Sequence, residues 1–328
     1  MMHKKMKQLA VAVGLAFTAF ALPFRAHAAD DFPSKPLKMY VGFSAGSATD
    51  IVGRVVAEGL AKRLGQPVVV ENKVGAGGSI AAQQTARSSA DGYTLLTVSS
   101  AIAVNPAVYK SAGEVLPQLE PVALIGYLPT VLMASNKMPV NTVQEFVDYV
   151  KKNPGTVNFG SSGIGGSTHM AMEAFGMTTG IQLTHIPYKG NGQASAALLG
   201  NQIDAMMETI LLAVPVVTSE RAKGLAISGE KRSPLIPNVP TFAEAGVPEY
   251  NRSLFFGVMA PAGTPPALVE RLNKEINAVL AEPSVQERLI QTGGLTLASK
   301  SAADFKKTLE EEVALWKEVA KGAGIEPQ

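Results

Sequence analysis

Leu37-Lys38-Met39-Tyr40-Val41-Gly42-Phe43-Ser44-Ala45-Gly46-Ser47-Ala48-Thr49-Asp50-Ile51-Val52 is the stretch that decides the fold. Its first part is mostly apolar and alternates poorly, as a strand covered on both faces does. The glycine-bounded turn that follows runs into Asp50, placed to cap a helix. Apolar residues then recur at Ile51, Val52, Val55, Val56, Leu60 and Leu64, which is helical spacing. Gly65 and Pro67 stop that helix. Val68-Val69-Val70 reads as a second strand and residues 79–90 as a second helix. Asp91-Gly92 turns the chain into a third strand over 93–99. Strand, helix, strand, helix, strand predicts a parallel sheet with right-handed crossovers.

The same order restarts near residue 140. Thr142-Val143-Gln144-Glu145 is a capping box that opens a helix to about residue 152, stopped by Asn153-Pro154-Gly155. Strands are expected at 157–160, 184–187, 203–208 and 224–228, and helices at 167–179, 193–199 and 213–219. Thr241-Phe242-Ala243-Glu244 is another capping box, ended by Gly246. After an apolar strand at 255–260, Thr264 and Pro265 start a further helix. Helices over 266–281, 283–292 and 302–321 are read as returning to complete the first domain. The apolar segments 122–134 and 254–260 are then the crossings. This gives domain 1 as 29–125 plus 254–328, and domain 2 as 126–253.

Three glycine-rich turns each follow an apolar run and precede a helix: 42–47, 75–79 and 160–166. Such a turn presents backbone N–H groups at the positive end of a helix, which suits an anion without a cationic side chain. Two of them facing each other would hold a small carboxylate. The turn Gly75-Ala76-Gly77-Gly78-Ser79 lacks the Lys-Ser/Thr ending of a phosphate loop and the third glycine of a dinucleotide fingerprint. It reads as a tight turn near the cleft.

The N-terminus carries Lys4, Lys5 and Lys7, then an apolar run from Leu9 to Leu22, then Ala26-His27-Ala28. This is the pattern of a secretory signal peptide, with cleavage expected after Ala28 and the periplasm as destination. Residues 1–28 hold four basic residues and no acid, so the totals of 29 basic and 27 acidic residues become 25 and 27, a net charge of −2. No clustered basic patch remains, which argues against nucleic acid. Cys is absent and only His169 and His185 remain, so metal, thiol and disulfide chemistry are not expected, nor is a cofactor.

The chain resembles the substrate-binding proteins of tripartite tricarboxylate transporters, the Bug or TctC-like family. The matching stretches are Phe32-Pro33-Ser34-Lys35-Pro36, residues 42–50, residues 65–78, Asp91-Gly92-Tyr93-Thr94-Leu95-Leu96, residues 158–169, His185-Ile186-Pro187-Tyr188-Lys189-Gly190, Lys231-Arg232-Ser233-Pro234 through Val239-Pro240-Thr241, and Ala260-Pro261-Ala262-Gly263-Thr264-Pro265. They span essentially the whole mature chain in the family's order. The resemblance implies two Rossmann-like α/β domains with a ligand cleft between them, as in type II periplasmic binding proteins. It further implies a small organic acid held largely by backbone N–H groups and water, delivery to transporter membrane subunits, and a monomer. Ser47, Phe255 and Met206-Met207-Glu208 depart from the pattern, which bears on the ligand and not on the fold.

Ligand contacts are expected from Phe43, Ser44, Ala45, Gly46 and Ser47 on the first turn. Ser99, Ser100 and Ala101 end the third strand, where open α/β sheets bind ligands. Ser161, Ser162, Gly165, Gly166, Thr168 and His169 come from the opposing turn and helix start, His169 having a structural reading as well. Tyr188 and Lys189 sit at another strand end. Glu208 at a strand end would favour a ligand with an ammonium or N–H donor over a second carboxylate, unless it pairs with Lys189 or another base. Two rivals stand beside transport. A ligand-sensing subunit would hand the complex to a receptor. A serine hydrolase would use Ser44, because Gly42-Phe43-Ser44-Ala45-Gly46 fits G-x-S-x-G. That elbow needs strands before it, and here it follows the first one, with both histidines in the other domain.

Overall fold

The computed structural model describes residues 32–292 and 294–327. The expected signal peptide lies outside them. Strand β1 (Leu37–Val41) is followed by α1 (Ala48–Leu64), β2 (Val68–Asn72), α2 (Ser79–Ala86) and β3 (Thr94–Ser99). Both β2 and β3 pair with β1 in parallel, as the opening stretch predicts. The apolar run after residue 119 is two strands, β4 (Leu119–Leu128) and β5 (Thr130–Ala134), and Pro129 between them carries the chain from one sheet to the other. Pro129 cannot donate to a ladder, so the pairing ends there on both sides.

The first sheet has six strands, in the order β11, β4, β10, β3, β1, β2, where β10 is Leu254–Pro261 and β11 is Thr296–Leu297. Strand β10 runs antiparallel between β3 and β4, so this sheet is mixed and not wholly parallel. The second sheet joins β5 to β6 (Asn158–Ser161), β7 (Thr184–Pro187), β8 (Ala205–Thr209) and β9 (Lys223–Ile227), in the order β7, β6, β8, β5, β9. Here β6 pairs in parallel with β7 and β8, while β5 is antiparallel to β8 and β9. In both sheets the antiparallel member belongs to a segment that passes between sheets or has just returned. Short βαβ loops give only parallel neighbours, and the exceptions are where the chain changes sheet. The return passes through 228–253, so β10 lies wholly within the first sheet and is not itself a crossing.

Residues 101–108 and 110–115 form α3 (Ala101–Val108) and α4 (Lys110–Val115). The second sheet is flanked by α5 (Val143–Lys152), α6 (Ser167–Thr179), α7 (Asn191–Leu199) and α8 (Ile210–Thr218). Thr142 caps α5 by accepting from the Glu145 N–H. The second capping box forms both its bonds, Glu244 N–H to Thr241 Oγ1 and Thr241 N–H to Glu244 Oε2, yet no helix follows. Gly246 (φ 88°) closes it after one turn. A capping box satisfies N–H groups but supplies no buried face to extend the helix.

Of the C-terminal helices, α9 (Pro266–Leu280) packs on α1 and β4. The helix expected over 283–292 is a short α10 (Pro283–Gln286) running into π-type turns. The last helix, α11 (Ala302–Gly322), packs on α3 and β4 and also reaches α6, so it touches elements associated with both sheets. Its Trp316 is buried, with the indole N–H donated to Glu312.

Candidate functional site

A cavity of about 410 Å3 lies between the two sheets. Its walls come from the first turn (Phe43, Ser44 and Ser47), the turn at 74–78, Ser99, the second turn (Ser162 to Ile164), and the strand ends at Tyr188–Asn191 and Thr209. Among the described residues that line it, Lys189 is the one charged side chain, and it is exposed.

The glycines that the sequence suggested as donors commit their N–H groups within the chain. Gly46 donates its N–H to Asp50 Oδ2 at 2.9 Å, and Ala45 and Gly46 are exposed and off the wall. Gly165 donates to His169 Nδ1 at 3.3 Å and Gly166 to the Gly163 carbonyl at 3.0 Å, and neither lines the cavity. Ser47 Oγ caps α1 by accepting from Asp50 N–H, the role expected of Asp50 itself. The first N–H groups of a helix have no partner within it. On one wall these belong to Ala48 and Thr49, and on the other to Ser167 and Thr168. The site therefore offers the helix starts of α1 and α6, with hydroxyls beside them, and that of α7, whose Gly190 and Asn191 also line it. The glycines fold the turns that aim those helices.

Asp50 organises the first wall. Its carboxylate is buried and accepts from Gly46, from Arg54 Nε at 3.0 Å and from Asn72 Nδ2 at 2.8 Å. Asn72 Nδ2 also donates to the Phe43 carbonyl at 2.9 Å, so the turn is held at both ends. Burial alone would raise this carboxyl, but the bonds from Arg54, Asn72 and Gly46 outweigh it and hold it below the ordinary range. Asp50→Ala is expected to cost about 2 kcal/mol, below the range for a buried pair because Arg54 is 47% exposed. The lowered carboxyl contributes stability above the unfolded value, lost as pH falls through the folded one. Urea titration of wild type and variant at pH 7 and pH 3 checks this: the gap should shrink at pH 3.

His169 and His185 lie under the second turn and stack at 3.8 Å between centroids, with Phe159 against His185 at 4.8 Å. His185 Nε2 bonds Ser161 Oγ at 2.7 Å. Burial, with the neighbouring His169 as a lesser cause, pushes His185 down to about 3, so it stays neutral. The pair supports the turn and does not line the cavity, and neither imidazole is bonded to Ser44. Ser161 is likewise behind the wall. Ser100 accepts from Phe255 N–H at 2.8 Å, and Ala101 lines a small crevice beneath the first turn.

Glu208 is fully buried on β8, behind the wall, and among the described residues it pairs with neither Lys189 nor another base. Its Oε1 accepts from Asn191 Nδ2 at 2.6 Å, Thr209 N–H at 2.6 Å and Thr209 Oγ1 at 3.0 Å. Sequence reasoning missed Asn191, Thr209 and Tyr109 as wall residues. Asn191 and Thr209 follow residues already singled out, at a helix start and a strand end. Tyr109, between α3 and α4, carries no signal in the sequence, yet its hydroxyl donates to the Ile164 carbonyl across the cavity at 2.7 Å. The described residues hold no group of three or more His, Asp or Glu placed for a metal ion, and no helix long and apolar enough to cross a membrane.

The family model "Tripartite tricarboxylate transporter family receptor" matches residues 52–325. The chain belongs to this family. It is 36% identical over 317 residues to Protein BugT of Bordetella pertussis, covering 96% of each chain. Among solved structures it is similar to "R. palustris Rpa4515 with adipate", at 32% identity and TM-score 0.85, covering 91% of this chain and 100% of that one. It is also similar to MatC from Rhodopseudomonas palustris with bound malate, at 30% identity and TM-score 0.81, covering 88% and 99%. Members of this TctC family are periplasmic solute-binding proteins of two α/β domains, not enzymes, which removes the hydrolase reading of Ser44.

Proposed function

We propose that the protein captures a small organic acid in this cavity by closure of two lobes and delivers it to tripartite tricarboxylate-type membrane subunits. One observation carries the reading: two helix starts with uncommitted N–H groups face one cavity whose lining holds no acidic side chain among the described residues. That arrangement attracts a carboxylate. The solved relatives with adipate and malate support the ligand class. Export by a signal peptide cut after Ala28 accompanies this role, and the protein acts as a monomer without cofactor. The lobes are those read from the sequence, 29–125 with 254–328 and 126–253, with the first boundary moved to Pro129 because residues 126–128 pair with β10 in the first sheet. Ser44, Ser47, Ser99, Ser162 and Thr168 supply hydroxyls to the acid.

Closure has a polar hinge and a clasp. At the hinge Thr130 N–H donates to Ser228 Oγ at 2.8 Å, and Thr130 Oγ1 to the Arg252 carbonyl at 3.0 Å. The clasp is Tyr109, whose hydroxyl donates to the Ile164 carbonyl. A ligand shifts such an equilibrium only by its preference for the closed form.

Thermal shift of the mature protein against adipate, malate, amino acids and amides tests the ligand class. An acid at 100 times its dissociation constant should add about 2.7 kcal/mol. No shift with any acid, in protein shown by mass spectrometry to carry no ligand, would refute it. Tyr109→Phe removes one hydrogen bond of the closed form, worth about 1 kcal/mol. The ligand's dissociation rate should rise about fivefold with the association rate unchanged. Equal dissociation rates would remove the clasp from the mechanism.

A further inference from the structure

Glu208 is fully buried, and its hydrogen bonds run to the cavity wall. Its Oε1 accepts from the Asn191 amide, the Thr209 N–H and the Thr209 hydroxyl, and both residues line the cavity. All three donors are neutral. Its Oε2 has no hydrogen-bond partner among the described residues. The elements packed on β8 add little charge. β5, β6, α7 and α8 carry no titratable side chain, and α6 carries His169 and Glu173. Those two lie 3.5 Å from each other, and His169 Nδ1 accepts from the Gly165 N–H. Asp204, just before β8, accepts from the Asn158 N–H. Lys189, just before α7, is exposed, so its pull on Glu208 is screened by solvent and salt. Burial is thus opposed by hydrogen bonds alone, and the carboxyl stands at about 7.

We infer that capture of an acid anion in the cavity is coupled to uptake of a proton by Glu208, so that the protein holds its acid more tightly below neutral pH and releases it more readily above. The inference rests on the carboxylate reading of the cavity. Two effects of the bound acid share one sign. Its negative charge disfavours a second charge on Glu208. By covering Asn191 and Thr209 it also takes water further from the carboxyl, which again favours the neutral form. The proton comes from solution and settles on Oε2, the oxygen without a partner, while Oε1 goes on accepting its three bonds. The acid stays ionised, so the cavity gains one negative charge as Glu208 loses one. Glu208 does not touch the ligand; it acts on it through charge. Two unit charges about 10 Å apart, at an effective dielectric of about 20, shift each other by roughly one pH unit.

Isothermal titration at fixed salt, in buffers of low and high ionisation enthalpy, tests this with butyrate, hexanoate, benzoate and adipate. An acid that raises Glu208 by about one unit should take up about half a proton at pH 7.5, and its affinity should fall roughly sevenfold from pH 6.5 to pH 9. E208Q keeps an acceptor at Oε1 but cannot take the proton. Its affinity should be level over this range, with a binding heat independent of the buffer. A merely structural role would not separate the two proteins in this way. At pH 7.5 the wild type should also gain the infrared carbonyl band of a protonated carboxylic acid when the acid binds, a band that an imidazole does not give. If the wild-type affinity is level and its binding heat independent of the buffer, the inference falls and the carboxylate reading stands. Uptake that persists in E208Q puts the proton on another group, such as His169, and equally overturns it. If none of these acids binds, the carboxylate reading fails and takes the inference with it. The infrared band decides the matter even if E208Q does not fold.

Discussion

E208Q is expected to be more stable than wild type at pH 8 by about 2 kcal/mol and less stable by about 1 kcal/mol at pH 4. Glu208 is fully buried, and its Oε2 has no hydrogen-bond partner among the described residues. Burial raises the carboxyl; the bonds from Thr209 and Asn191 oppose it, and the balance stands at about 7 against an ordinary 4.5. Between these values the folded protein holds a proton that the unfolded chain has released. Stability therefore falls as pH rises from about 4.5 to about 7 and is level above. At 1.36 kcal/mol per unit the loss is about 3 kcal/mol. Glutamine carries no charge at any pH, so this loss is absent. Its NH2, placed where Oε2 was without an acceptor, returns about 1 kcal/mol of it. Urea denaturation of both proteins in steps from pH 4 to pH 8 reads the difference. Parallel pH profiles would show that Glu208 does not titrate in this window.

Why Glu208 was legible as a position but not as a role has a physical reason. The sequence places a carboxyl at a strand end, and open α/β sheets bind ligands there. Whether that carboxyl faces the ligand or faces away depends on strand register and on a residue seventeen positions back, Asn191. Neither is encoded locally. The parallel core β2-β1-β3 was legible because each step is local: apolar run, glycine turn, amphipathic helix. The antiparallel insertion of β10 between β3 and β4 was not, because it joins segments about 155 residues apart, as the Phe255 to Ser100 bond shows. Tyr109 illustrates the same limit. An aromatic residue between two short helices looks like any partly buried tyrosine until the second turn is brought to it.

Gly42→Ala is expected to lower ligand affinity at least tenfold and stability by about 3 kcal/mol. A Cβ on Gly42 would lie 2.5 Å from the Gly78 Cα and 3.1 Å from the Gly78 carbonyl oxygen. Both obstacles are backbone, so no rotamer change relieves them. The turn at 75–78 cannot step aside easily. Gly75, Gly77 and Gly78 have φ of 139°, 59° and 93°, in the left-handed region that side chains disfavour. Asn105 Nδ2 also holds the Gly77 carbonyl at 3.0 Å. The first turn must then move, and it carries Phe43, Ser44 and the start of α1 on the cavity wall. Gly46→Ala is the matched control. Its φ of 79° strains an alanine by about 1 to 2 kcal/mol. Yet no atom lies within 4 Å of the added Cβ, and Gly46 is off the wall. Calorimetric titration should show the affinity loss in Gly42→Ala and near wild-type binding in Gly46→Ala. If the two variants lose affinity equally, the loss reflects general loosening of the turn and not the contact of two backbones. The glycines that drew attention as anion donors would then serve as hinges, whereas the geometry makes Gly42 the point where the two turns of this wall are packed against each other.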